Sequence, residues 1–110
     1  MTEITISVVK DFYPRPYGRT DSDGEFNGAA FREKVLVPAL KKYERVHVDL
    51  TGYNRYGRSF LDESFGGLIR EDNYTLEQLS KVLTYSHDLV KSIEAVIRDR
   101  LEAAERDRRK

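Results

Sequence analysis

A chain of 110 residues with 39% apolar and 35% charged side chains has material for one modest core, which argues against a second domain. Lysine plus arginine and aspartate plus glutamate each number 19, so no net field draws the protein toward nucleic acid or anionic lipid. With no cysteine, disulfides, thiolate catalysis and thiolate metal sites are excluded. The opening MTEITISVVK lacks a secretory pattern, and no apolar run reaches the roughly 20 residues of a membrane span, so a cytoplasmic protein with no membrane partner is expected.

Near the N-terminus Ile4, Ile6 and Val8 alternate with Thr5, Ser7 and Val9, the period of a strand with one face on a core. Residues 11–28 follow with Pro14, Pro16, Gly18, Gly24 and Gly28, and an Asp23-Gly24 pair suited to a tight turn; a hairpin or a long functional loop is expected. From Ala29 to Tyr43 the residues Phe31, Val35, Leu36, Ala39, Leu40 and Tyr43 recur at helical spacing, with Asn27 placed to cap the start. Pro38 falls inside that helix, where it deletes a backbone donor and predicts a kink or a later start. RVHVDL, Arg45 to Leu50, reads as the central strand, buried in a sheet with helices on its faces.

The next helix is predicted to open at Ser59 as N-cap, with Asp62 answering in a capping-box-like pair and Leu61, Phe65 and Leu68 as its core stripe. Thr75 and Gln78 make a better capping box for a short helix through Leu76, Leu79 and Val82, and Leu83 to Tyr85 is expected as an edge strand. Asp88 is placed to cap the last helix, whose stripe is Leu89, Ile93, Val96, Ile97 and Leu101. The charged end EAAERDRRK is expected to fray or project. Alternating strands and helices on this scale predict a small α/β sandwich, a mixed sheet with helices packed on it. The domain is drawn over residues 1–97, with a charged helical extension or tail over residues 98–110.

The segment from Asp49 to Glu71 carries most of the candidate chemistry. A helix start offers free amides and partial positive charge, and Arg58 adds a full charge beside Ser59, so a phosphoryl group on Ser59 would be stabilised there. Ser59 acting only as a cap is the simpler reading. Gly66 and Gly67 in mid-helix imply either close packing against a neighbour or a flat docking surface. Asp49, Asp62 and Glu63 raise a metal or acid/base reading, but local capping and dipole roles explain the last two. No catalytic residue, metal or cofactor is assigned. His47 and His87 read as structural. Arg15, Arg19, Arg55 and Arg58 with Tyr13, Tyr17, Tyr53 and Tyr56 gather in the two irregular segments, a composition suited to an interface.

The combination KDFYPRPYGR, SDGEFNGAAFRE, LVPAL, VHVDLTGY and SFLDESFGGLIRE resembles the bacterial STAS-like family of uncharacterised function, related to the anti-sigma-factor antagonists, from about Ile4 to about Arg98. The resemblance implies a STAS-type fold and docking onto a histidine-kinase-like ATPase that acts as a serine kinase or anti-sigma factor. It also implies phosphorylation at Ser59, which falls where the antagonists carry their modified serine. Gly57 and Arg58 before Ser59 and Phe60 after it depart from the antagonist pattern of an acid and a small hydroxyl residue before and a glycine after.

Three functions follow as expectations. The first is a non-enzymatic regulatory domain that meets a protein partner through Arg58, Ser59, Asp62, Glu63 and Gly66. The alternative is a small nucleotide- or anion-binding module using Arg19, Asn54, Arg55 and Arg58, and the third is a carboxylate hydrolase.

Overall fold

The computed structural model describes residues 2–110. Strand β1 (Glu3–Ser7), β2 (Arg45–Asp49) and β3 (Leu83–Ser86) form one sheet in the order β1-β2-β3, so β2 is central and β3 is an edge. Both pairings are parallel, with Thr5 beside His47 and His47 beside Thr84. The expected mixed sheet is thereby corrected: every strand-to-strand connection runs through a helix, which returns the chain to the same end of the sheet and makes the next strand parallel.

Four helices cover the sheet: α1 (28–42), α2 (58–70), α3 (Leu76–Val82) and α4 (Lys91–Arg108). Asn27 caps α1 as its spacing predicts, Oδ1 accepting from the Ala30 amide at 2.9 Å. Pro38 is accommodated because the preceding five residues, Arg32–Leu36, widen into a π-helical turn and the α-helix resumes at Val37 with proline in its first turn. Another π-helical turn, Asp62–Gly66, lies within α2, and a third, Val8–Phe12, follows β1, so Val8 and Val9 lie in a turn and not in the strand expected to hold them. Residues 13–27 form a loop rather than a hairpin, with one 3-10 turn at Asp21–Asp23, closed by Tyr17 N donating to Phe26 O at 2.9 Å and Gly28 N to Gly18 O at 2.9 Å.

The core lies between the helices and the sheet face carrying Ile6, Val46, Val48 and Leu83, against Phe31, Leu36, Phe60, Leu61, Phe65 and Leu68. The opposite face carries Thr5, His47 and Thr84 and then Ser7, Asp49 and Ser86 in register, and it is not buried. His47 lies there with both ring nitrogens on hydroxyls, Nδ1 2.6 Å from Thr84 Oγ1 and Nε2 2.8 Å from Ser86 Oγ. One covered face explains why β2 alternates instead of running continuously apolar, and corrects the expectation of helices on both faces. No described helix is long and apolar enough to cross a membrane.

Two expectations for the last helix are also corrected. It begins at Lys91 after Val90, not after an Asp88 cap, and Leu89 is 74% exposed outside it. Its packed stripe continues past Leu101 to the fully buried Ala104, and Glu105 accepts from the Leu76 amide at 3.0 Å, so the charged end is held against α3. Arg108 and then that amide pull the Glu105 carboxyl down to about 2.

Candidate functional site

The loop between β2 and α2 lies at the carboxyl end of the parallel strands, where open α/β sheets bind their ligands. It is polar and irregular in sequence, yet side chains from three directions fix it. Asp49 Oδ1 accepts from Thr51 N at 3.0 Å, and Thr51 Oγ1 accepts from Asp88 N at 3.2 Å. Bonds from Thr51 keep the Asp49 carboxyl below the usual range against the opposing effect of burial.

His87, with no exposed surface, is the second tie. Its Nδ1 accepts from the Leu89 and Val90 amides at 3.1 and 3.0 Å, which places the ring proton on Nε2, and Nε2 donates to the Tyr53 carbonyl at 2.9 Å. One neutral tautomer thus satisfies the turn before α4 and pins the middle of the loop. The His87 amide donates to Glu94 at 3.1 Å and is the main reason that carboxyl titrates low.

The third tie is aromatic. Tyr53 meets Tyr56 edge-on at 5.0 Å, and Tyr56 packs on Phe60 at 5.9 Å. From Phe60 contacts continue to Phe31 at 5.9 Å, Phe12 at 5.3 Å and Phe26 at 5.6 Å, ending where Phe26 stacks on Tyr13 at 3.9 Å. The two tyrosine-bearing segments are therefore the ends of one ring-to-ring run through the core, with Tyr13 38% and Tyr17 66% exposed at the far end. The Tyr56 hydroxyl is buried without a hydrogen-bond partner, and burial, helped by the Asp49 charge, pushes its pKa up.

Beneath the loop, the first half of α2 is an ion-pair network. Asp62 accepts from Arg19 at 2.7 Å and from Arg70 at 3.0 and 3.2 Å, with Arg100 of α4 at 3.6 Å. Burial alone would raise the Asp62 carboxyl, but the bonds from Arg19 and Arg70 outweigh it and hold it low. Glu63 takes Arg32 at 2.5 Å and Arg19 at 3.4 Å. The Arg32 guanidinium, itself buried, also donates to the Glu63 carbonyl at 2.7 Å and lies 2.9 Å from Asp72 off hydrogen-bonding alignment.

Glycines make this network possible. A Cβ on Gly67 would stand 2.2 Å from Arg32 Nη1, and one on Gly66 would stand 2.8 Å from Arg70 Nη1 and 3.3 Å from the Arg100 carbonyl. On the facing helix, a Cβ on Gly28 would stand 2.8 Å from the Phe60 carbonyl. Bare backbone at 66 and 67 thus serves close packing, the first of the two readings that sequence allows.

The residues singled out from sequence divide accordingly. Arg58 and Ser59 are exposed in the first turn of α2, with Asn54 and Arg55 exposed on the loop before it. Glu63 is half-buried, while Asp62 and Gly66 lie in the interior. Ser59 is not the N-cap: Gly57 holds that place in extended backbone and Ser59 is the second helical residue, because the helix starts two residues earlier than the serine suggests. Asp62 is correspondingly no capping partner. Arg19 points to Asp62 and Glu63, whereas Arg58 faces Asp99 of α4 at 3.9 Å. Asp49 and the Asp62–Glu63 pair have separate partners, so the three carboxylates do not converge through shared contacts. Sequence reading missed the roles of His87, Arg32, Arg70 and Arg100; the neighbours of position 87, Ser86 and Asp88, give no local signal for its three ring bonds to backbone.

Fold and site together define a small α/β domain of the STAS-like class. The family described as STAS-like domain of unknown function (DUF4325) matches residues 27–88, more than half of the chain, and the chain belongs to that family. The match runs from the cap of α1 through the loop and α2 to the turn after β3, and so contains the His87 tie and most of the ion-pair network. No curated protein and no solved structure matches the chain.

Proposed function

We propose that the protein is a non-enzymatic regulatory domain that docks a protein partner through the loop 51–57 and the first turn of α2. The observation that carries this reading is the combination of fixation and exposure. The loop is tied by Asp49, His87 and the aromatic run, yet it presents Asn54 and Arg55 to solvent beside Arg58 and Ser59 of the first helical turn. A pre-ordered polar surface loses little conformational entropy on association, which favours recognition by another folded protein. Asp62, Glu63 and Gly66 then support that surface from below instead of touching the partner.

By its likeness to the anti-sigma-factor antagonists, the partner is a histidine-kinase-like ATPase or an anti-sigma factor, and Ser59 is the residue such a kinase would phosphorylate. An exposed hydroxyl in the first turn, next to Arg58, suits a phosphoryl group electrostatically. The alternative of an anion-binding module is less well supported, since Arg19 is engaged by two carboxylates. Incubation of the protein with a purified histidine-kinase-like ATPase of its host and labelled ATP tests the reading. Label on wild type, absent from Ser59→Ala, is expected, together with a complex weakened by Ser59→Asp. Absence of both label and complex across such ATPases refutes it.

A further inference from the structure

Among the described residues the outer edge of β3 has no strand beside it. An open edge is a row of unpaired amides and carbonyls that invites another strand. Immediately next to it lies a groove of about 260 Å³ formed by α3, β3 and α4, where Leu76 and Tyr85 remain half-buried over Leu83 and Leu101. Arg98 and Glu102 stand on its α4 side, both exposed. Burial pushes the Tyr85 hydroxyl up, with Arg98 opposing and Glu102 and Glu94 adding to the rise. Arg98 and Glu102 are spaced for an ion pair on one helix, yet neither is in an ion pair among the described residues.

We infer that this flank is a self-association surface whose occupant is a second copy of the chain. Pairing β3 with the same strand of another copy, antiparallel about a twofold axis perpendicular to the sheet, extends three strands to a continuous sheet of both copies and leaves the helices on one side. That axis sets the two α4 helices side by side and antiparallel. Arg98 of each copy then faces Glu102 of the other, so two unused charges on one chain become two ion pairs across the dyad, around a centre made by the Tyr85 and Leu101 grooves. An extended peptide would satisfy the strand edge but would offer no reason for opposite charges at this spacing. The second copy satisfies edge, groove and charges at once.

The inference concerns the chain alone and does not rest on the docking reading at Ser59. Sedimentation velocity of the full chain over a range reaching high micromolar concentration is expected to give a concentration-dependent dimer. Arg98→Glu and Glu102→Arg each place like charges opposite one another twice and are expected to weaken the dimer by about tenfold or more. The double exchange Arg98→Glu with Glu102→Arg restores the pairing and is expected to return it to within a few-fold of wild type. Both positions are exposed, and circular dichroism verifies that the variants fold. A monomer at every concentration overturns the inference, as does a dimer indifferent to both reversals or a double exchange no better than the single ones. Binding of an extended peptide along β3 by a chain that stays monomeric also overturns it.

Discussion

Replacing Asp62 by asparagine removes one negative charge from a carboxylate that Arg19 and Arg70 hydrogen-bond and Arg100 faces, while keeping the side chain's shape. Stripping one partner from a fully buried ion pair costs about 3 to 5 kcal/mol, because the charges left behind are uncompensated. Here the aspartate is 7% exposed but the side chains of Arg19, Arg70 and Arg100 are 42%, 29% and 19% exposed, so the arginines regain part of their hydration. That reduces the expected loss to about 2 to 3 kcal/mol, or roughly 8 to 13 °C in Tm for a domain of this size. The sign of the pH dependence is set by the depressed carboxyl of the folded state. Its contribution is fully present above the ordinary aspartate value of about 3.9 and is lost as pH falls through the lower folded value, whereas the asparagine variant has nothing to lose there. Urea unfolding followed by far-ultraviolet circular dichroism at neutral pH and again near about pH 3 is therefore expected to show a gap that narrows on acidification. A deficit below about 1 kcal/mol at neutral pH, or one that stays constant down to acid, would refute the network as a source of stability.

Gly67→Ala is expected to cost about 2 kcal/mol or more in chemical denaturation, since its Cβ would stand 2.2 Å from Arg32 Nη1 and force that guanidinium off Glu63. Phe65→Ala, which empties a fully buried ring position against Tyr85, is expected to cost about 3 to 5 kcal/mol by the same measurement. His87→Ala removes the acceptor of the Leu89 and Val90 amides and the donor to Tyr53; hydrogen exchange is expected to speed up at those two amides and through residues 51–57, with the strands of the sheet less affected. Unchanged exchange in the loop would show that His87 does not hold it.

What was legible in the sequence depended on the reach of the interaction. Thr75 and Gln78 lie three residues apart, and their reciprocal bonds at 2.9 and 3.1 Å form a capping box that any reading of local spacing finds. Asn27 and the stripe Leu61, Phe65 and Leu68 are of the same kind, since helix geometry alone brings them into place. The existence of β1 and β2 was legible because one solvated face imposes an alternation on them, but the alternation runs on to Val8 and Val9, where the chain has already turned out of the strand. Asp62 is the opposite case. Locally it looks like an acid in a first turn, but Arg70 lies eight residues on and Arg19 and Arg100 are far off in sequence, so its role comes from the packing of the 13–27 loop and α4 on α2 together with Arg70. His87 was missed for a different reason: its bonds are to backbone, which carries no residue-type signal at all.

These two misreadings alter where function is sought. A sequence view spreads the docking face along α2 from Arg58 to Gly66, a length that would present one helix side to a partner. With Asp62 and Gly66 committed inward, the exposed part of that stretch contracts to Arg58 and Ser59 and gains Asn54 and Arg55 from the loop. The interior groups then act through position. Arg19 on the 13–27 loop and Arg100 on α4 meet at the same carboxylate, so the elements flanking α2 are coupled through a charge three residues beyond Ser59. Ser59 itself is exposed where Asp62 is buried, so the network holds the first turn of α2 from beneath while the hydroxyl stays free at the surface.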